Sequence, residues 1–272
     1  MRAISTALIA CALACVMHAP IAEAQTVTVL YSFCSSGVSG GCADGAFPYA
    51  GLTDVNGVLY GTTYWGGAGF RYCDGGSLSL ACGTVFSFDP QTDTETVVYS
   101  LCSQKSRRRV CVDGKEPESG VIDVDGMLYG TTEWGGYYGY GTVFSLDQTT
   151  DAETILYSFS DKHRDYANGA FPNADPVELN GLLYGTTPFG GRHAGAGTAF
   201  SLDLATGVET TLHTFSAKHK DGRGPQAGMI DIKGMLYGTT EYGGKNNAGA
   251  VFSLDPTTGA EAVVYSFRGY PS

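Results

Sequence analysis

The sequence predicts an all-β fold, a β-propeller-like array of four four-stranded blades plus one extra N-terminal strand. Three observations carry that prediction. The phrase VLYGTTYWGG, beginning at Val58, returns as MLYGTTEWGG, LLYGTTPFGG and MLYGTTEYGG. A second phrase, GTVFSFD, follows each copy, as GTVFSLD, GTAFSLD and GAVFSLD after the later ones. Within it Val85, Ser87 and Asp89 alternate with Phe86 and Phe88, the two-residue period of a strand, and no apolar stripe of helical period stands out after the leader. A catalytic motif needs to occur once, whereas a structural module recurs.

Each unit divides into the same elements. It opens on an Asp/Asn-Gly-x-x-Pro phrase at Asp44, Asp113, Asn168 and Asp221. The first strand follows, as GLTDV, GVIDV, PVELN and GMIDI. Asn56-Gly57, Asp125-Gly126, Asn180-Gly181 and Lys233-Gly234 close it, mostly pairs that tolerate the positive φ of a type I′ hairpin. The LYGTT phrase is the second strand, with Leu59, Leu128, Leu183 and Leu236 equivalent at intervals of 53 to 69 residues. GTVFSL is the third. After DPQTDTE and its copies comes the fourth, as TVVYSL, TILYSF, TTLHTF and AVVYSF. One such unit cannot bury both faces, so neighbours must cover them, in a ring with a central channel. The units span about 44–102, 113–160, 168–216 and 221–268, and VTVLYSFC adds an unmatched fifth copy of the fourth strand at 26–33. That surplus strand either latches onto the last blade or marks an open array completed by self-association.

Residues 1–24 have the layout of a signal peptide: Arg2, an apolar run from Ala3 to Met17, then Ala22-Glu23-Ala24. LIAC, ending at Cys11, resembles a lipoprotein acylation site. More apolar sequence follows it, so cleavage after Ala24 is expected. No later segment is apolar over the roughly 18 residues of a membrane span, and the mature chain is expected to be secreted, extracellular or periplasmic. The net charge of −11 is unchanged by losing the leader and argues against nucleic acid and anionic lipid as partners. Lys105–Arg109, the one basic run, reads as a solvated loop. Six cysteines remain as close pairs, Cys34/Cys42, Cys73/Cys82 and Cys102/Cys111, each bracketing a short loop, and local disulfides are the natural reading in an oxidising compartment. Zinc-type CxxC or Cys/His spacing is absent.

The LYGTT-x-x-GG, GTVFSL and LYSF phrases, recurring in register from about Thr26 to Arg268, resemble those of the GloVer tandem-repeat family of exported bacterial proteins. The resemblance implies a propeller-like extracellular array and brings no catalytic set. Members often end in a sorting or anchoring segment, and no hydrophobic tail or sorting signal precedes Ser272 in this sequence.

Candidate sites follow from the repeat. Trp65, Trp134, Phe189 and Tyr242 each follow LYGTT-x and precede Gly-Gly, a sharp exit that either exposes a ring for stacking on a sugar or plugs the seam between blades. Tyr137, Tyr138 and Tyr140 lie beside the second. The Asp/Asn-Gly residues read as turn formers. Calcium is the one cofactor an acidic exported chain suggests, but the alternating ligands of an EF-hand-type loop are missing, so none is expected. His163 and His219 occupy equivalent loops, and His213, in place of the fourth-strand tyrosine, reads as a packed histidine. His193 with Arg192, and Glu133 or Glu241, are the candidates for acid–base chemistry on a polysaccharide. No G-x-S-x-G, HExxH or P-loop is present. The expectation is therefore a scaffold that binds a glycan or extracellular protein. An extracellular lyase or hydrolase is the alternative, and a structural envelope protein the third reading.

Overall fold

Every described strand belongs to an antiparallel ladder in the computed structural model, which describes residues 27–35, 41–68, 73, 81–104, 110–160, 167–191, 195–216 and 221–269. Four sheets of four strands follow one another along the chain. Sheet I holds β1 (Thr53–Val55), β2 (Val58–Thr63), β3 (Thr84–Asp89) and β4 (Thr94–Ser100). Sheet II holds β5 (Val121–Val124), β6 (Met127–Thr132), β7 (Thr142–Asp147) and β8 (Glu153–Ser158). Sheet III holds β9 (Val177–Leu179), β10 (Leu182–Thr187), β11 (Thr198–Asp203) and β12 (Glu209–Thr214). After β13 (Gly222–Arg223), sheet IV holds β14 (Ile230–Ile232), β15 (Met235–Thr240), β17 (Ala250–Leu254) and β18 (Glu261–Ser266), with β16 (Tyr242–Gly243) paired to β13. No helix occurs among the described residues, and none is long and apolar enough to cross a membrane.

Local chemistry explains each ladder. Asn56, Asp125, Asn180 and Lys233 have φ of 53–57° and are each followed by a positive-φ glycine, the geometry of a two-residue type I′ hairpin. Asp54 and Asp231 accept the turn glycine N–H, at 2.8 and 2.7 Å. The glycine of LYGTT sits inside a strand, where glycine ordinarily weakens pairing. Here Gly61, Gly130, Gly185 and Gly238 pair with Phe86, Phe144, Phe200 and Phe252, whose rings lie over the missing side chains. Between the third and fourth strands the register slips by one residue in every sheet, before the same phenylalanine. A repeated bulge of this kind adds twist to each sheet.

The core lies between sheets rather than within one. Val143 and Phe159 of the second unit pack on Leu183, Phe200 and Leu202 of the third, with Ile122 and Tyr157 alongside. Ala199 and Phe215 meet Leu236, Phe252 and Leu254 in the same way. Each fully buried Phe or Leu contributes about 1.5–3 kcal/mol. The first threonine of LYGTT ties neighbouring units together, since Thr62, Thr131 and Thr186 donate to the carbonyls of Ser119, Ala174 and Ala227. On sheet IV the equivalent surface has no such cover: Phe267 is 42% exposed where Phe159 and Phe215 are fully buried, and Ile230 and Ile232 are exposed too.

Residues 27–33, expected as part of an extra strand, form no strand. In the repeats the corresponding segment pairs with a GTVFSL strand, and residues 27–33 have no such pairing among the described residues. The side-chain half of the contact persists: Phe33 meets Phe86 edge-on at 4.8 Å, and Tyr31 packs near Phe88. Three disulfides, Cys34–Cys42, Cys73–Cys82 and Cys102–Cys111, close short loops before, within and at the end of the first unit. The leader 1–24, Lys105–Arg109, His163, Arg192, His193 and His219 lie outside the described residues.

Candidate functional site

The two most regular phrases of the sequence meet on one face. Ala46, Lys115 and Ala170 form antiparallel bridges with Trp65, Trp134 and Phe189, and Arg223 pairs with Tyr242 in the β13–β16 ribbon. Each Asp/Asn-Gly-x-x-Pro lead-in is thus zipped to the aromatic exit of its own unit. The second threonine of LYGTT fixes that exit, because Thr63, Thr132, Thr187 and Thr240 each donate to the carbonyl of the aromatic two residues on, at 2.8 Å. Phe47, Glu116 and Phe171, just before the prolines, hold φ of 56–60°, a left-handed conformation that strains a residue with a Cβ.

The four exit rings divide into two kinds. Trp65 is half-buried against Cys34, Cys42, Ala46 and Phe47, and Trp134 is half-buried with its ring 4.4 Å from Phe171 and Lys115 5.8 Å above it. Phe189 and Tyr242 are exposed, at 53% and 41%. They line a cleft of about 370 Å³ with Pro188, Arg223, Gln226 and Glu241. Arg223 lies 4.7 Å from the Tyr242 ring, a cation–π contact. Tyr137 and Tyr138 are also exposed, whereas Tyr140 packs on Phe171 at 5.7 Å.

A polar row runs beside these rings from unit to unit. Its members are the residues after each proline, Tyr49, Glu118, Asn173 and Gln226, and three of the four after LYGTT, Tyr64, Glu133 and Glu241, with Pro188 interrupting it in the third unit. The Tyr64 hydroxyl lies 3.3 Å from Glu116 and 3.5 Å from Glu133. Asn173 donates to Gln226 at 2.8 Å and to Glu118 at 3.4 Å, and Gln226 donates to Glu241 at 3.1 Å. Burial, then the charges of Glu118 and Glu116, push the Glu133 carboxyl up to about 7, while its hydrogen bonds to Trp134 and Tyr64 act the other way. Hydrogen bonds from Tyr242 and Gln226, with Arg223 nearby, hold exposed Glu241 below the ordinary range. The two candidate glutamates therefore differ: Glu133 sits among carboxylates and Glu241 in the aromatic cleft.

The after-proline positions were missed in reading the sequence. The signal was there: inside a repeated frame they change residue in every unit, which is where a repeat places individual chemistry. The seams held another surprise. Asp113 accepts from the backbone of Ser103 and Gln104 and from the Tyr99 hydroxyl, so the side chain expected to bond within its own turn instead ties the lead-in to the end of the preceding fourth strand. The glutamate ending DPQTDTE and its copies sits in the same seams: Tyr31 reaches both Asp44 and Glu95, and Asn168 donates to Glu209. It is a junction residue. The aspartate opening that phrase does cap the hairpin, as Asp147 does for Thr149 and Thr150.

A family model described as the Gloeobacter/Verrucomicrobia repeat matches residues 72–271. No curated protein matches the chain. Among solved structures the chain is similar to a quinohemoprotein alcohol dehydrogenase from Comamonas testosteroni, at 16% identity and TM-score 0.49, over 86% of this chain and 38% of that one. It is also similar to a Mycobacterium tuberculosis puromycin-hydrolyzing peptidase, at 14% identity and TM-score 0.47, over 80% of this chain and 29% of that one. A third is TolB from Acinetobacter baumannii, at 14% identity and TM-score 0.40, over 68% of this chain and 40% of that one. The chain spans less than half the length of each.

Proposed function

This chain belongs to the Gloeobacter/Verrucomicrobia repeat family, and from that premise we propose that it is an exported repeat scaffold that binds a glycan through one loop-bearing face. In this reading its four sheets act as blades about an axis, and the polar row passes from one blade to the next. The observation that carries the binding role is the cleft in which exposed Phe189 and Tyr242 flank Arg223, Gln226 and Glu241. Exposed rings offer apolar area for the face of a sugar, and the amide, guanidinium and carboxylate offer fixed partners for its hydroxyls. Three disulfides fit an oxidising compartment, and cleavage after Ala24 is checked by the N-terminal mass of the exported protein. A glycan array probed with the mature protein tests the binding role. Binding lost in a folded Phe189→Ala/Tyr242→Ala variant supports it; retention by that variant, or no binding by the native chain, overturns it and turns attention to a protein partner.

A second reading rests on Glu133. A carboxylic acid poised near neutral pH among Glu116, Glu118 and Tyr64 is suited to proton transfer in polysaccharide cleavage. Cleavage of a bound glycan, abolished by Glu133→Gln with binding intact, distinguishes this enzyme from a binder. Self-association through the uncovered face of sheet IV, with Ile230, Ile232, Tyr265 and Phe267 exposed, is checked by sedimentation: a single monomeric species rules it out.

A further inference from the structure

Between successive units three side chains meet in every junction. They are the fourth-strand ring of the preceding copy, the Asp or Asn of the next lead-in, and the Glu that opens the following fourth strand. The sets are Tyr31/Asp44/Glu95, Tyr99/Asp113/Glu153, Tyr157/Asn168/Glu209 and His213/Asp221/Glu261. In three of them the glutamate has a donor: the Tyr31 hydroxyl on Glu95 at 3.3 Å, Gln104 on Glu153 at 3.4 Å, and Asn168 on Glu209.

The fourth junction differs twice. His213 replaces the tyrosine, and no hydrogen bond reaches either oxygen of Glu261 from any described residue, whereas Glu95 and Glu153, whose Oε1 atoms are buried and unpartnered like that of Glu261, each accept a donor at Oε2. A carboxylate left so is costly unless a cation or proton meets it. His213 Nε2 lies 3.3 Å from Asp221 Oδ2, and one ligand atom each from His213, Asp221 and Glu261 lie within 4.8 Å of one another. Asp221 is only 8% exposed, and the Ser216 N–H, at 3.1 and 3.2 Å from its two oxygens, holds the carboxylate in place. One imidazole nitrogen and two carboxylates, drawn from β12, the lead-in and β18, form the donor set of a borderline-soft ion. The nitrogen turns the preference away from calcium and magnesium, which favour all-oxygen shells.

We propose that His213, Asp221 and Glu261 bind one divalent first-row transition ion of the zinc type, which staples the third unit to the fourth. The other junctions lack an imidazole and bind none.

The test is a Co²⁺ titration of the metal-stripped exported protein, followed by visible absorption, with Zn²⁺ displacement and thermal melting in parallel. No reductant is added, so the cysteines stay in disulfides. One Co²⁺ per chain, displaced by Zn²⁺, and a higher melting temperature with Zn²⁺ are expected. His213→Tyr installs the residue of the other three junctions and should fold. It should weaken binding by at least the ~10–100-fold that losing even an outer-shell partner costs, and Glu261→Gln should weaken it likewise. No Co²⁺ absorption and no Zn²⁺ stabilisation in the native protein overturn the proposal, as does a His213→Tyr protein that binds as well as the native one.

Discussion

The hydroxyls of Thr132 and Thr142 face each other at 2.8 Å across β6 and β7, while Thr132 also donates to the Trp134 carbonyl at 2.8 Å. With the Thr132 proton engaged there, Thr142 is the donor within the pair. Thr63–Thr84 and Thr187–Thr198 repeat the arrangement at 2.8 and 2.9 Å. The fourth unit has Ala250 opposite Thr240, and Thr240 instead accepts the Ala250 N–H at 3.2 Å. Thr142→Ala therefore copies a junction the protein already contains and should cost about 1 kcal/mol. Thr132→Val removes both bonds and leaves buried partners behind, so it should cost about 1–3 kcal/mol. Urea unfolding of the two variants checks the order.

Gly130 admits no side chain. A Cβ there would stand 2.7 Å from the Phe144 ring. Gly130→Ala must push that ring into the seam beside Leu128 and Leu146. Overpacking of this kind costs about 1–3 kcal/mol, read as a lower urea midpoint at unchanged slope. Wild-type stability in this variant would show that the ring has room to move.

The two kinds of exit ring should separate on substitution. Trp134→Ala removes a half-buried ring packed on Phe171 and should cost about 2 kcal/mol or more. Tyr242→Ala removes an exposed ring and should stay within about 0.5 kcal/mol of wild type while losing ligand. Equal losses of stability would place Tyr242 in the core instead.

Stability should fall from mildly acidic to mildly alkaline pH. Burial, then the Asp113 charge, raises Glu153 from its ordinary 4.5 to about 8. Burial likewise raises Glu133 to about 7. A carboxyl whose pKa is raised on folding carries no penalty below the unfolded value, where both states are protonated. The folded state is penalised progressively as pH climbs to the folded value. Glu153→Gln should flatten the decline between about pH 4.5 and 8, raising the melting temperature at pH 8 and leaving it little changed at pH 4.5. An unaltered profile would remove Glu153 as its source. Thermal melts across that range decide it.

Local rules that a short stretch of sequence contains were legible without coordinates. Asn56-Gly57 and its copies dictate a hairpin because their positive φ is a property of two residues. The alternation of Val85, Phe86, Ser87 and Phe88 dictates a strand with two apolar-bearing faces. Paired cysteines around short loops needed only an oxidising compartment. What the tertiary structure alone decided depends on residues far apart in the chain. The glycine of LYGTT is small because a phenylalanine from another strand crosses it. Four equivalent aromatic exits become two packed tryptophans and two exposed rings: Phe47 of the same unit lies beside Trp65 and Phe171 of the next unit lies against Trp134, while Arg223 lies over the exposed Tyr242. Residues 27–33 repeat the sequence of a strand without its pairing, since a strand needs a partner and a sequence phrase does not. The meeting of His213, Asp221 and Glu261 is set by the packing of one unit against the next, and no periodicity along the chain records that distance.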